Sequence, residues 1–184
     1  MNKTITTTRG AVLIRGAKLA DAAQLRELLL EALQDSPIAF AADYERAVSH
    51  PAQYWEDRLK MDADEANLFF AEYEDRLIGM TGIERSRSSK TRHSAWIWGV
   101  YVTPAWRGLR VAEELVSASL AWAEAKEIVV VKLGVASTNV PAIRCYERSG
   151  FVIYGTEPRA IFYEGKYYDE YLMSRSLDET TTRH

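Results

Sequence analysis

A single cysteine, Cys145, is the only thiol in the 184-residue chain, so no disulfide can form within it and a reducing compartment is the expected setting. Long apolar runs are missing too. No stretch approaches the roughly 20 residues that a membrane-crossing helix needs. The opening MNKTITTTRG has no apolar core of the kind a secretory signal carries. The expectation is a cytoplasmic protein with no membrane partner. Histidine is scarce, with three in the chain, and His93 has no second His or Cys nearby in sequence, so no metal site is expected. Excess positive charge is absent as well. Lys and Arg number 23 against 26 Asp and Glu, a net charge of −3, which argues against the broad basic footprint of a nucleic-acid binder. Internal repeats and linkers rich in Pro, Gly or Ser are also missing. The length fits one domain, expected over residues 11–177. The polar ends, residues 1–10 and 178–184, are expected to be mobile.

What is present alternates between strand and helix patterns. Ala11–Arg15 reads as a strand. Asp21 stands where an N-cap would, before a helix carrying Leu25, Leu28, Leu29 and Leu33 at helical spacing. Pro37 and Pro51 bracket a loop or short helix, and a second helix follows Pro51. LFFAEY and LIGMTGIER form a hairpin about Glu74-Asp75-Arg76. HSAWIWGVYV is a strand apolar on both faces, with Trp96, Trp98, Val100 and Val102 on one and Ile97, Gly99 and Tyr101 on the other. A helix over Gly108–Lys126 and the β-branched run IVVVKLGV complete a strand–helix–strand unit with parallel strands. A short helix then starts at Asn139-Val140-Pro141 and ends at Ser149-Gly150. FVIYGTEP and KYYDEYLMSRSL close the chain as two strands. The order is β–α–α–β–β–β–α–β–α–β–β, an α/β fold with a mixed sheet and helices on its faces.

Two stretches carry chemistry. In GVYVTPAWRGLRVA (Gly99–Ala112) a strand passes through a tight loop into a helix N-terminus. The first helical N–H groups lack internal partners and the helix dipole favours negative charge, so this is a ready anion site. It lacks the lysine and hydroxyl residue of a nucleotide P-loop. In NVPAIRCYERSGF (Asn139–Phe151), Asn139, Ala142 and Tyr146 are spaced by three and four residues and share one helix face. Taken alone, Tyr146 reads as a core aromatic that ends an amphipathic helix, and Cys145 reads as a packing residue. Tyr163, Tyr167, Tyr168 and Tyr171 read as strand-face packing.

In this order, with the parallel unit between them, the two stretches resemble the GNAT family of N-acyltransferases over residues 11–175. Arg107 and Ala112 match the ends of the family's Gln/Arg-x-x-Gly-x-Gly/Ala phosphate loop. Asn139, Ala142, Tyr146, Gly150 and Phe151 match its Asn-x-x-Ala-x-x-x-Tyr-x-x-x-Gly-Phe motif. The resemblance implies the GNAT fold and direct transfer of acetyl from acetyl-coenzyme A to an amine of a small molecule or a protein. It implies that Val100, Tyr101 and Val102 pair with the pantetheine arm like an added strand. The amides of Arg107, Gly108, Leu109, Arg110, Val111 and Ala112 would hold the pyrophosphate. Asn139 and Ala142 would lie on the pantetheine side, and Tyr146 would protonate the departing thiolate. A homodimer is a fair default for such domains.

The sequence departs from the pattern twice. Arg110 stands at a family glycine. We read it as taking ordinary right-handed angles and adding a charge beside the phosphates; the alternative is that its side chain crowds the loop. The general base is also missing from its usual strands, since Trp96-Ile97-Trp98 and Leu133-Gly134-Val135 hold no carboxylate. Elimination leaves Glu84, with Asp43, Glu45, His93, Asp169 or a water chain as alternatives. A non-catalytic acyl-coenzyme A sensor on the same fold is the competing reading.

Overall fold

The computed structural model describes residues 2–178. Its elements are β1 (Asn2–Thr7), β2 (Gly10–Gly16), α1 (Ala22–Asp35), α2 (Tyr44–Ser49), α3 (Ala52–Asp57), β3 (Ala66–Tyr73), β4 (Arg76–Arg85), β5 (Ser94–Val102), α4 (Val111–Ala125), β6 (Val130–Ala136), α5 (Val140–Arg148), β7 (Val152–Tyr163) and β8 (Lys166–Ser176). The strands form one sheet in the order β1-β2-β3-β4-β5-β6-β8-β7. Every neighbouring pair is antiparallel except β5 and β6, the two strands joined through α4.

Alternation along the strands sends side chains into two cores. One face packs Phe69, Ile83, Ile97, Leu133 and Val135 against Val111, Leu115 and Val116 of α4 and Ile143 and Tyr146 of α5. The other packs Leu68, Phe70, Met80 and Tyr101 against Leu25, Leu28 and Ala32 of α1, with Ala47 of α2 and Trp55 of α3. Burying apolar area on both faces at about 25 cal/mol per Å² is what holds a sheet this wide between helices.

Several expectations are corrected. Residues 1–10 were expected to be mobile, yet Asn2–Thr7 pairs along its whole length with Gly10–Arg15. The run is polar but β-branched, which suits an edge strand. Its Ile5 packs on the core beside α4. Thr7 Oγ1 donates to the Gly10 carbonyl at 2.8 Å and closes the turn. Of the tail 178–184, residues 179–184 lie outside the described residues. The second helix divides into the short α2 and α3 around His50-Pro51. The third is shorter at its start, opening at Val111 and not at Gly108.

Asp21 precedes α1 but makes no side-chain cap there. Instead it is buried, accepting from Arg15 Nη1 and Nη2 at 2.7 and 2.8 Å and from the Lys18 N–H at 2.7 Å. Arg15 Nε also donates to Glu72 at 2.6 Å. Burial works against the Asp21 charge, but the bonds from Arg15 and Lys18 outweigh it, so its carboxyl stays below the ordinary range. Asp21 in turn holds the Arg15 guanidinium above its ordinary value.

The strict alternation expected for Trp96–Val102 breaks at Gly99. Register runs Gly82↔Trp98 and then Met80↔Tyr101, so β5 carries one extra residue there. Gly99 sits at φ +65°, a conformation glycine takes at little steric cost. The slip puts Trp98 and Tyr101 together on the α1 face, and Ile97, Val100 and Val102 together on the α4 face.

Candidate active site

β5 and β6 pair only at Ser94↔Val130, Ala95↔Val131 and Trp96↔Lys132. Beyond Trp96 the two parallel strands part, while β5 stays bonded to β4 as far as Val102. The β6-facing backbone of β5 after the bulge is therefore free to bond an extended guest. A cleft of about 790 Å³ opens in this gap. Ile97 to Val102 line one wall and Leu133 to Ala136 the other, with α5 at one side and the start of α4 at one end.

The α4 end carries the helix start that the sequence marks as a candidate anion site. The first bond of the helix runs from the Glu114 N–H to the Arg110 carbonyl at 3.2 Å, so the amides of Val111, Ala112 and Glu113 precede any internal acceptor. Arg107, Arg110, Arg144 and Arg148 line the same cleft. Arg107 is tied into the fold: Nε donates to the Val102 carbonyl at 3.0 Å, and the guanidinium pairs with Asp35 and lies over the Tyr101 ring. Arg148 pairs with Glu113. Arg110 departs from expectation. Its backbone is left-handed, at φ 62° and ψ 15°, the conformation a glycine would take here. Its side chain is exposed and reaches the cleft.

α5 supplies the wall beside the gap. The Asn139 side-chain oxygen accepts the Ala142 N–H at 3.2 Å, capping the helix. That leaves its amide nitrogen as the group able to serve a guest. Tyr146 is buried among the α4-side core, edge-on to Phe151, yet lines the cleft. Its hydroxyl bonds to no described residue. Burial, aided by Cys145, holds the Tyr146 proton on well above the ordinary phenol range. Burial and Glu113 push the Cys145 thiol up to about 12, so Cys145 stays protonated and packs rather than attacks.

The expected binding residues therefore meet at one cleft, with one exception. Val100, Tyr101, Val102, Arg107, Gly108, Arg110, Val111, Ala112, Asn139, Ala142 and Tyr146 all line it. Leu109 does not, and packs on the core instead. The Tyr101 side chain turns to α1, its hydroxyl donating to Glu31 at 3.0 Å. Glu84, the expected base, is not brought to the cleft lining. It stands across from Trp96 near the end of β4, with a loose 3.8 Å contact to Arg87 and half its side chain exposed. Asp169 accepts the Arg159 N–H through Oδ1 at 2.7 Å within the hairpin and does not line the cleft. Its neighbour Glu170, which sequence reasoning passed over, is not itself among the lining residues, but its carboxylate reaches Gly134, which is. The signal was available: a glycine in the β6 wall leaves room for a side chain from the next strand.

The sequence profile of the acetyltransferase (GNAT) family matches residues 24–151. The chain belongs to this family. Among curated relatives, a mycothiol acetyltransferase of Brachybacterium faecium is 28% identical over 148 residues, covering 75% of this chain and 45% of that protein. The chain thus spans under half the length of that relative. The L-amino acid N-acetyltransferase AaaT of Escherichia coli is 29% identical over 133 residues, covering 70% of this chain and 79% of AaaT. A solved structure described as an acetyltransferase, yncA of Salmonella typhimurium with its cofactor acetyl-CoA, superposes with a TM-score of 0.75 at 23% identity, over 94% of this chain and 98% of that one. The fold expected from the two motifs is the fold found.

Proposed function

We propose that the protein transfers acetyl from acetyl-coenzyme A directly to an amine. The observation that carries this reading is the parting of β5 and β6 between an arginine-rimmed helix start and Tyr146. The residues present fit the donor. Its diphosphate needs converging N–H groups and positive charge, which the start of α4 and its arginines offer. Its amide-bearing arm needs a strand edge, which β5 offers after Gly99. Acetyl-coenzyme A supplies a thioester whose carbonyl carbon takes the amine lone pair as the C–S bond breaks. A free N–H on the parted edge of β5 polarises a carbonyl placed against it. The Tyr146 hydroxyl, kept protonated by burial, donates to sulfur from the α5 side.

Support for an amine acceptor comes from AaaT, named for N-acetylation of L-amino acids. Against the sensor reading stands the intact Tyr146 in the cleft wall. Free-thiol release from acetyl-coenzyme A in the presence of L-leucine, spermidine or an alanyl peptide separates the two, since a sensor releases none. Tyr146→Phe keeps acetyl-coenzyme A affinity and lowers amine-dependent release by about 100-fold. Equal release by the variant and the parent rejects the proton-donor role.

A further inference from the structure

We propose that Glu170 accepts the proton that the acceptor ammonium must lose, working from the sheet face opposite Tyr146; this deepens and rests on the acetyl-transfer reading. A lysine-like amine has a pKa near ~10 and is mostly an ammonium at neutral pH, with no lone pair to attack. Along β6, Leu133 and Val135 enter the core beside α4, so Gly134 faces the other side while still lining the cleft. A Cβ built on Gly134 would stand 2.9 Å from Glu170 Oε2, 3.6 Å from Glu170 Cδ and 3.7 Å from Trp96 Cζ2. The space a side chain would fill at position 134 is therefore occupied by the Glu170 carboxylate, set beside the Trp96 ring. No hydrogen bond or ion pair with a described residue ties that carboxylate down, so its lone pairs are available to a guest.

The groups around it keep it a base. Glu157 stands directly opposite on β7. Glu84 lies beyond Trp96. Lys132 is two residues before Gly134 on the same face of β6. The turn Pro37–Ala39, packed against β6 and β7, brings no charge. Burial, with Glu157 adding to it, raises the Glu170 carboxyl above the ordinary range, toward the basicity that proton removal near neutral pH needs. In the step itself one N–H bond of R–NH₃⁺ breaks and the proton passes to a Glu170 oxygen. The products are a neutral amine and a neutral carboxylic acid, which returns the proton to water. The class of acceptor is a primary amine presented as a cation beside Trp96 and Trp98.

The test uses the full chain with L-leucine, spermidine and an alanyl peptide as probes. Glu170→Gln is expected to keep acetyl-coenzyme A affinity within about twofold by titration calorimetry and to cut kcat/KM for the amine by about 100-fold. It is also expected to abolish the fall in rate that the parent shows as pH drops through the Glu170 pKa. Gly134→Ala, which drives a Cβ into the carboxylate's position, is expected to act alike and carries the test should Glu170→Gln fail to fold. Glu170→Asp is expected to recover part of the rate. Parental turnover with the acidic limb intact in Glu170→Gln overturns the proposal, and the same result in Gly134→Ala does so where Glu170→Gln does not fold. So does loss of acetyl-coenzyme A affinity in step with turnover, which marks a structural role. An active parent beside an unchanged Glu170→Gln sinks Glu170 alone; a parent that releases no thiol with any probe sinks the transfer reading and Glu170 with it.

Discussion

Arg110 gives the sharpest test of how the loop before α4 is built. An arginine at φ 62° and ψ 15° holds a left-handed conformation that costs an L-residue about 1–2 kcal/mol. Glycine takes those angles without that cost, but ordering it loses about 0.5–1 kcal/mol more backbone entropy. Arg110→Gly should therefore stabilise the fold by about 0.5–1 kcal/mol, or about 1–4 °C in Tm for a domain of this size. Its effect on the donor should have the opposite sign. The strain is present with or without ligand, so relieving it leaves affinity untouched, while the lost guanidinium removes a charge from the rim of the cleft. An exposed charge contact of this kind contributes up to about 1 kcal/mol, or about fivefold in Kd.

Arg110→Ala separates the two effects, because alanine keeps the left-handed cost and loses the charge. It should bind acetyl-coenzyme A as weakly as Arg110→Gly yet melt no higher than the parent. Thermal or urea unfolding reads the first quantity and titration calorimetry the second. Tighter binding by Arg110→Gly would show that the side chain crowds the loop, refuting the charge reading. A melting point equal to that of Arg110→Ala would refute the strain.

Asp21→Ala should destabilise the fold by about 3–5 kcal/mol, because it leaves the Arg15 guanidinium buried with Glu72 as its remaining carboxylate; urea unfolding measures it. The folded Asp21 pKa lies below its unfolded value, so this stability is complete above about pH 4 and is lost as pH falls through the lower, folded pKa. Parent and Asp21→Ala unfolding curves should therefore converge only in strong acid, and a gap that closes near neutral pH would contradict the pairing. Gly99→Ala should cost about 1 kcal/mol of stability through its φ of +65° alone, since no heavy atom lies within 4 Å of the added Cβ. It should also weaken acetyl-coenzyme A binding by setting a methyl group in the gap, and an unchanged Kd by calorimetry would show that the guest runs elsewhere.

The parts of this molecule that announce themselves in the sequence are those whose constraint is local. Asn139 caps α5 because its oxygen reaches the Ala142 N–H, and Gly150 ends the helix region at φ +84°; both follow from spacing along one short segment. The parallel unit across α4 follows from an apolar helix between two β-branched runs. What could not be read depends on register between distant strands. KYYDEYLMSRS offers polar and aromatic residues on both faces, so no apolar alternation says whether Asp169 or Glu170 shares the face of Gly134. Pairing with β6 decides it: Glu170 stands across from Ala136 and Asp169 takes the other face. Asp21 likewise carries every mark of a cap, and only the return of β2 beside it shows that Arg15 claims its carboxylate.

Gly99 sets which residues of β5 face each core. Without the extra residue, Trp98 and Tyr101 would fall on opposite faces of β5, as an unbroken alternation requires. With it, both aromatic rings wall the α1 side while Val100 and Val102 rejoin Ile97 beside α4. The same bulge increases local twist, and it lies just past the last β5–β6 pair, Trp96↔Lys132. The bulge thus lies within the unpaired edge of β5, beyond the point where β5 and β6 part, and it sets which side chains face each side of the sheet. On the proposed reading, Tyr146 meets that gap from the α5 face and Glu170 stands at Gly134 on the opposite face of the sheet, so the proposed proton donor and proton acceptor would serve one transfer without neutralising each other.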